Sequence, residues 1–433
     1  MAMDGKELVE KLAKLSQVQS IKDIPQLTHA LFPGTHCPLM GAAMAVGGIK
    51  DSLIVVVGTD ECTYYTKSMT IHSEKFGGID GRCVSVVLDD HDVTFGSAEK
   101  VQEAFKEIIE EYRPQCVFLV TTCVIEIIGD DFDAISEGLS ELYGIPVLPV
   151  HTEHFKCEDH LPGLERTITV CAEMMKSCDC DNSVNLLGQR MGDFATTELY
   201  AMLRKAGVKI GLQLPCGCSV DDIKNAAAAK VNIVVNDIAL PLAQKMQEKF
   251  GIPYVYFNKF VIPEKIYEAY KNLFGYLELE LPEELEGLYQ NAREEIEKNK
   301  GELEGITYIY GNTPYAVFEM NCFLSSLGMV PQVIQTNRYT EADEPYAKEI
   351  LQYTDPYVCK AANIAPLQYV YDVLSPYLYL GHEFGNRLRQ KGIAIVHSDR
   401  ASGMLGFEVT GYLLQQLVKS VREAKEYRKE LGL

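Results

Sequence analysis

Short apolar runs alternate along this chain with longer amphipathic segments. Continuous apolar runs at 52–57, 84–88 and 116–120 have the length and composition typical of strands that are buried on both faces of a parallel sheet. Between the second and third runs, residues 97–112 carry apolar side chains on one helical stripe. This succession of strand and helix predicts an α/β layered fold.

The same pattern restarts after residue 180 and again after residue 300. Apolar runs recur in both later stretches, at 184–187, 208–214, 231–235, 253–257, 307–310, 331–335 and 393–396. The chain is therefore predicted to be an α/β protein with three Rossmann-like domains, each a parallel sheet flanked by helices. The predicted domains are residues 1–180, which include the three lead cysteines described below, 181–300, and 301–433 with a C-terminal helix.

The beginning of the chain adds one further predicted element. Residues 6–16 place Leu8, Leu12 and Leu15 on one side of an amphipathic helix. They contain neither the apolar core nor the cleavage site of a secretory signal. No apolar run approaches the ~18 residues of a membrane span, so a cytoplasmic protein without a membrane partner is expected.

The composition of the chain excludes some classes of binding partner and favours metal ligation by cysteine. The formal net charge of −21 argues against binding to nucleic acid, because a phosphate backbone requires a basic surface. The 13 cysteines should stay reduced in the cytoplasm unless they bind metal. Metal ligation explains some of them better than disulfides do.

Three cysteines lie close to predicted core elements. Cys62 and Cys123 follow the strands 52–57 and 116–120, and Cys37 precedes a segment rich in glycine and alanine. Ligands of open α/β sheets bind beyond the carboxyl ends of the strands, so Cys62 and Cys123 should share one edge. Thiolates at such an edge can hold an iron–sulfur cluster. Taken singly, each thiol also fits a small buried apolar residue, and the spacing is not a Cys-x-x-Cys pattern.

The segments around these cysteines resemble nitrogenase component 1 and its relatives. These relatives include nitrogenase cofactor-assembly scaffolds, protochlorophyllide reductases and Ni-sirohydrochlorin reductive cyclases. The resemblance extends over nearly the whole chain, and the segment around Cys123 is its most specific part. The matching segments are Cys37-Pro-Leu-Met-Gly-Ala, Gly58-Thr-Asp-Glu-Cys-Thr-Tyr-Tyr, Asp92-Val-Thr-Phe-Gly, Thr121-Thr-Cys-Val-Ile-Glu-Ile-Ile-Gly-Asp-Asp, Val184-Asn-Leu-Leu-Gly and Phe250-Gly-Ile-Pro.

The resemblance implies a cluster and a set of partners. Cys37, Cys62 and Cys123 would be one chain's ligands to an iron–sulfur cluster at a subunit interface, either [4Fe-4S] or an [8Fe-7S] P-cluster type. A homologous subunit would complete an α2β2 heterotetramer or a homodimer. A separate ATP-dependent homodimeric iron protein would deliver electrons, since this chain has no P-loop motif of its own.

Two functions fit this resemblance. In the first, the chain is a catalytic-component subunit of a nitrogenase-like oxidoreductase, and electrons pass through the cluster to a substrate or cofactor in the interdomain cavity. In the alternative, the chain is a scaffold on which a complex iron–sulfur cofactor is assembled. Where the nitrogenase α subunit anchors its cofactor with Cys and His, this chain has Val235 and the segment 404–406. It therefore resembles a β-type partner or the tetrapyrrole-reducing branch.

Four further residues are candidates for chemistry. His151 and His160 could carry protons or hydrogen-bond near the cluster, although structural histidines fit equally well. Cys216 and Cys218 follow a predicted strand and could bind a second cluster or a metallocofactor in the cavity, or act as a redox pair. The small residues that follow Cys37 should allow another backbone, a cofactor or the partner subunit to approach closely.

Overall fold

The computed structural model describes residues 4–27, 36–71, 82–157, 159–190, 192–257, 261–311, 313, 316–360 and 364–433. Three parallel sheets, each flanked by helices, organise these residues. The predicted α/β fold is confirmed. The domain boundaries at 180 and 300 stay a prediction. No helix in the described ranges is long and apolar enough to cross a membrane.

The first sheet contains four parallel strands. Their spatial order is Cys83–Val87, Ser52–Gly58, Cys116–Thr121 and Val147–Val150. Every residue of the two central strands is buried, which explains their unbroken apolar sequences. The helices that follow or precede these strands are Pro38–Gly47, Asp60–Ile71, Asp90–Phe95, Ala98–Tyr112, Cys123–Ile128, Phe132–Tyr143 and Leu161–Val170.

The second sheet is also four-stranded and parallel. Its order is Tyr254–Tyr256, Val231–Val234, Val184–Gln189 and Ile210–Pro215. A short parallel pairing of Ile49–Lys50 with Cys218–Ser219 connects the first part of the chain to the second. The helices of this part are Glu198–Lys205, Val220–Lys224, Leu240–Phe250 and Pro263–Leu277.

The third sheet has six strands, of which one edge strand is antiparallel. Its order is Ala13–Lys14, Tyr357–Cys359, Val330–Gln335, Thr307–Tyr310, Leu378–Leu380 and Ala394–Val396. The helices around it are Val317–Ser326, Glu344–Tyr353, Ile364–Leu374 and Gly385–Arg389. Two longer helices, Leu285–Leu303 and Glu408–Leu431, pack against each other and are joined by an ion pair between Arg422 and Glu302.

The predicted helix over residues 6–16 is only partly right. The helix spans Gly5–Glu10, and the chain then becomes extended so that Ala13 pairs with Val358 at the edge of the third sheet. Leu8 and Leu12 belong to the core of that sheet. An open sheet edge offers unpaired backbone groups, and pairing with them outweighs the helical preference of residues 11–16. The start of the chain therefore packs with the third sheet, although it lies next to the first sheet in sequence.

Candidate functional site

The three lead cysteines all lie at the beginnings of helices. Cys37 is the residue before helix Pro38–Gly47, Cys62 lies in the first turn of Asp60–Ile71, and Cys123 is the first residue of Cys123–Ile128. All three side chains are half-buried. Backbone N–H groups at a helix start are unpaired and carry partial positive charge, so they favour the thiolate form of a cysteine.

The structure brings these thiols together. Burial raises the pKa of the Cys123 thiol, and the Cys62 and Cys37 thiols are close enough to raise it further. The backbone N–H groups of Cys123 and Val124 lower this pKa by hydrogen bonding to the sulfur. Within the described ranges, no set of three His, Cys, Asp or Glu side chains could hold a single metal ion. The thiols therefore share one neighbourhood at a spacing too wide for one ion.

The loops that carry Cys62 and Cys123 touch through a glycine. A Cβ atom on Gly58 would lie only 2.0 Å from Thr122 Oγ1, so a side chain at this position would push the two loops apart. The Thr59 hydroxyl donates a hydrogen bond to Cys62 Sγ at 3.5 Å. Gly58 thus allows the ends of two neighbouring strands to place their cysteines side by side.

A second pair of glycines holds the helix that follows Cys37. A Cβ on Gly41 would lie 1.9 Å from the His160 carbonyl oxygen, and one on Gly163 would lie 1.8 Å from the Pro38 carbonyl oxygen. The helices Pro38–Gly47 and Leu161–Val170 therefore cross in backbone contact. The close approach predicted for the small residues after Cys37 occurs within this chain. Ala42 and Ala43 are fully buried, so in this chain they face neither a partner nor a cofactor.

Glu126, which belongs to the third cysteine motif, ties that motif to the next strand. Its Oε1 accepts hydrogen bonds from the Thr121 hydroxyl and from the Glu153 N–H, the latter at 3.4 Å. Thr121 Oγ1 in turn accepts a hydrogen bond from the Thr152 N–H at 3.0 Å. This network fixes the loop after Val147–Val150 against the start of the Cys123 helix.

The two candidate histidines lie in different surroundings. His151 Nε2 is 3.2 Å from both carboxylate oxygens of Asp133 at the surface. His160 is half-buried, and burial, with smaller effects of Arg190 and His36, lowers its pKa to about 4. The His160 ring lies 6.4 Å, centroid to centroid, from the ring of His36, the neighbour of Cys37. Of the two, the structure places His160 on the Cys37 side, and a catalytic role for either stays a prediction.

The thiols of Cys216 and Cys218 also diverge. Cys216 is half-buried and its Sγ donates a hydrogen bond to the Arg190 carbonyl oxygen at 3.2 Å. Cys218 is buried in the core near Cys171, and burial raises its pKa to about 12. Cys216 therefore lies beside the cation Arg190 and Cys218 near the anion Asp222, and a buried thiol like that of Cys218 is a poor metal ligand.

Sequence reasoning missed Arg190 and His36. Arg190 lies directly after the strand Val184–Gln189 and is mostly buried. The titratable groups near it are Cys216, Asp237 and Asp159. Its position could have been recognised, because a charged residue immediately after a buried strand lies at the sheet edge where ligands bind. His36 precedes Cys37, but only the fold shows that it faces His160.

Large apolar side chains are exposed around the thiols. Each of them lies on a helix that follows the carboxyl end of a strand of the first sheet, and they are Tyr64, Phe95, Ile127 and Phe155. The helices that carry Phe95 and Ile127 pack against each other. We call these four residues the apolar rim. Exposed apolar groups concentrated beside polar functional groups are typical of a protein–protein contact surface.

The fold and the cysteine motifs place this chain in one family. Residues 37–422 match the family described as nitrogenase component 1 type oxidoreductase, and the chain belongs to that family. The predicted resemblance is therefore confirmed. The solved structure titled "Nitrogenase Cp1 at pH 6.5" superimposes with a TM-score of 0.78 over 93% of this chain and 95% of its own, at 15% sequence identity. That similarity concerns the fold.

Similar curated proteins carry two kinds of name. The nitrogenase iron-molybdenum cofactor biosynthesis protein NifE of Clostridium pasteurianum is 31% identical over 51% of this chain, and that alignment spans 49% of the relative's length. NifE of Rippkaea orientalis is 25% identical over 73% of this chain and 69% of its own. The nitrogenase molybdenum-iron protein alpha chain of Methanosarcina barkeri is 24% identical over 72% of this chain and 62% of its own.

Proposed function

We propose that this chain is a nitrogenase component 1-type scaffold on which a complex iron–sulfur cofactor is assembled. In this proposal Cys37, Cys62 and Cys123 hold a resident iron–sulfur cluster. The observation that carries the proposal is the convergence of three half-buried thiols, each at a helix start, on one edge of the first sheet. Such a donor set suits a cluster, because each iron takes its own thiolate and backbone N–H groups can hydrogen-bond the sulfurs.

A homologous subunit completes the site in this proposal. Three thiolates leave a [4Fe-4S] or an [8Fe-7S] cluster short of ligands, and the apolar rim offers a surface for the subunit that supplies the rest. The assembly is a homodimer or an α2β2 heterotetramer. When bound, the cluster supplies one-electron transfer chemistry. The thirteen thiols suit a reducing compartment, so we place the protein in the cytoplasm.

The names of the relatives favour assembly over catalysis. Several similar proteins are named as iron-molybdenum cofactor biosynthesis proteins. Val235, which occupies the expected position of the α-type cofactor cysteine, is fully buried and cannot ligate metal. A chain that holds its cofactor precursor without that thiol can release it, as a scaffold must.

A second candidate is the catalytic component of a nitrogenase-like reductase. There a separate ATP-dependent homodimeric iron protein would deliver electrons through the same cluster to a ligand in the interdomain cleft. One observation favours this candidate: the buried Glu319 carboxyl lies 4.0 Å from the partly exposed Lys265 ammonium group, where the second and third sheets meet. Reduction consumes protons, whereas cluster transfer does not require a proton donor.

Iron labelling distinguishes the two candidates. The protein is loaded anaerobically with labelled iron and sulfide, and is then mixed with a nitrogenase component 1 protein that lacks its cofactor. For a scaffold, we expect about one cofactor equivalent of labelled iron to move to each acceptor site. The transfer should then stop. The protein could instead retain all labelled iron and continue to consume electrons when the ATP-dependent iron protein is added. That result would contradict the scaffold role and support the reductase.

A further inference from the structure

Glu319 is a buried carboxyl group, and one of its oxygens receives no hydrogen bond from the described residues. It lies in helix Val317–Ser326, and its side chain is only 7% exposed. Among the residues that the structure describes, Oε1 has no hydrogen-bond partner, and the paired cation, Lys265 Nζ, is 4.0 Å away. Burying an ionised carboxylate without donors is far more costly than burying the neutral acid. The surroundings of Glu319 therefore favour its protonated form.

A half-buried glutamate in the same chain, Glu198, is surrounded differently. Glu198 Oε1 accepts hydrogen bonds from the Tyr270 hydroxyl at 2.9 Å and from the Phe407 N–H at 3.0 Å. The fold thus supplies two hydrogen-bond donors to Glu198. Through them, the Glu198 carboxyl group joins helix Pro263–Leu277 to the start of helix Glu408–Leu431. The absence of donors at Glu319 is a local property of its site.

Lys265 connects Glu319 to the outside of the fold. Its side chain is 33% exposed, and its ammonium group lies 3.8 Å from the centre of the Tyr346 ring and donates a hydrogen bond to the Tyr346 hydroxyl. Lys265 therefore stands between the buried carboxyl and a half-buried phenol.

Tyrosines dominate the rest of the surroundings. The titratable groups that interact with Glu319 come from its own helix, from strands Tyr254–Tyr256 and Thr307–Tyr310, and from helices Pro263–Leu277 and Glu344–Tyr353. These groups are Lys265, Tyr256, Tyr310, Tyr346 and Cys322. Lys265 is the one cation among these groups. Burial outweighs its attraction and raises the pKa of Glu319 to about 7.

The location of this cluster is where a ligand would bind. Tyr256 ends a strand of the second sheet and Tyr310 ends a strand of the third. The carboxyl ends of both sheets therefore meet at Glu319, and ligands of α/β proteins bind at such edges.

We propose that Glu319, Lys265 and Tyr346 form a proton-donating site that serves a basic group of a ligand bound beside the partly exposed Lys265, where the carboxyl ends of the second and third sheets meet. Lys265, aided by its hydrogen bond to Tyr346, gives a proton to the ligand and takes one from the Glu319 carboxyl group. The products are a protonated ligand and a Glu319 carboxylate paired with the Lys265 ammonium group. No electron moves in this step. The proposal goes beyond a scaffold role, which requires no proton donor.

Infrared spectroscopy on the full chain tests the stored proton. A carbonyl band of protonated carboxyl groups is followed between about pH 5 and about pH 9. We expect a component that titrates near pH 7, is lost in Glu319→Gln and is retained in Glu297→Gln, a control at an exposed position. Identical bands in the wild type and Glu319→Gln would overturn the proposal. If Glu319→Gln does not fold, Lys265→Met is measured instead. The Glu319 band of that variant should titrate at higher pH, because the nearby cation is gone. An unshifted band would also overturn the proposal.

Exchange in heavy water tests the route. The same band shifts when the Glu319 proton is replaced by deuterium, so its rate reports proton movement through the site. We expect Lys265→Met and Tyr346→Phe to slow this exchange about tenfold or more, and unchanged rates would contradict the route. Neither measurement uses the cluster, so failure here is distinct from failure of the proposed function.

Discussion

At the scale of single residues, hydrogen-bond donors decide what a buried acid does. Glu198 receives two hydrogen bonds and joins segments, whereas no described residue donates a hydrogen bond to Glu319 Oε1. Burial raises the pKa of the half-buried Cys123 thiol, and it raises the pKa of the buried Cys218 thiol to about 12. The residues that we assign to chemistry are thus distinguished by their surroundings and not by their type.

Glu319 should make stability depend on pH. Its pKa is raised from 4.5 to about 7 in the folded state, so its stabilising effect is complete below about pH 4.5 and is lost as pH rises through about 7. The difference amounts to roughly 3 kcal/mol. In urea unfolding, Glu319→Gln should therefore lose less stability than the wild type between these pH values and be the more stable protein at about pH 8. Parallel pH dependences in the two proteins would contradict the raised pKa.

The cysteines were predictable from the sequence, but their chemical neighbours were not. Cys37, Cys62 and Cys123 lie in motifs that resemble the family and follow recognisable elements. In the sequence, Glu319 is one of two polar positions, with Asn321, in the apolar segment 317–324, and its neighbours Lys265 and Tyr346 are distant in sequence. Arg190 and Cys216 likewise meet only through tertiary packing.

At the scale of elements, close helix packing positions the first thiol. The helix that Cys37 precedes crosses Leu161–Val170 at Gly41 and Gly163 without room for a side chain. This crossing fixes the helix start, and with it the sulfur, relative to the first sheet.

Gly41→Ala should therefore be strongly destabilising. The added Cβ would lie 1.9 Å from the His160 carbonyl oxygen, and moving this backbone should cost about 2 kcal/mol or more. Gly138→Ala is the control, because no atom lies within 4 Å of its Cβ position in helix Phe132–Tyr143. It should gain up to about 1 kcal/mol. Urea midpoints measure both variants, and equal midpoints would show that the crossing is not tight.

Buried strands were predicted well and the first helix was not, for one physical reason. Strands such as Ser52–Gly58 are covered on both faces, so their apolar runs are visible in sequence. The segment Ala13–Lys14 is extended because an edge of the third sheet is available to it. Nothing in the sequence of residues 11–16 indicates this pairing. Their apolar spacing fits a helix, as expected before any tertiary contact.

At the scale of the whole molecule, the apolar rim predicts an assembly. Phe95→Asp or Ile127→Asp should weaken association with the homologous subunit about 30-fold or more, since residues at the centre of an interface contribute about 2 kcal/mol. Leu142→Asp is the control, because Leu142 is 70% exposed and Ile127 is 71% exposed, but Leu142 lies at the far end of helix Phe132–Tyr143. Sedimentation velocity measures association. If all three variants associate equally well, the apolar rim is not part of the subunit interface.

The arrangement of the three sheets also separates two kinds of site. The thiols lie at the edge of the first sheet beside the apolar rim, and the acid–base cluster lies where the second and third sheets meet. We infer that the site at the first sheet receives electrons or clusters from a partner, and that the ligand binds beside Lys265, near the acid–base cluster.

Iron content with electron paramagnetic resonance tests the cluster proposal most directly. The protein, the variant Cys62→Ser and the exposed control Cys178→Ser are purified anaerobically with the natural partner subunit. We expect the protein and the control to contain about four irons or more per pair of chains and to show the same reduced-cluster signal, while Cys62→Ser loses most of both. Unchanged iron and an unchanged signal in Cys62→Ser, or an iron-free wild-type protein, would contradict a cluster held by Cys37, Cys62 and Cys123.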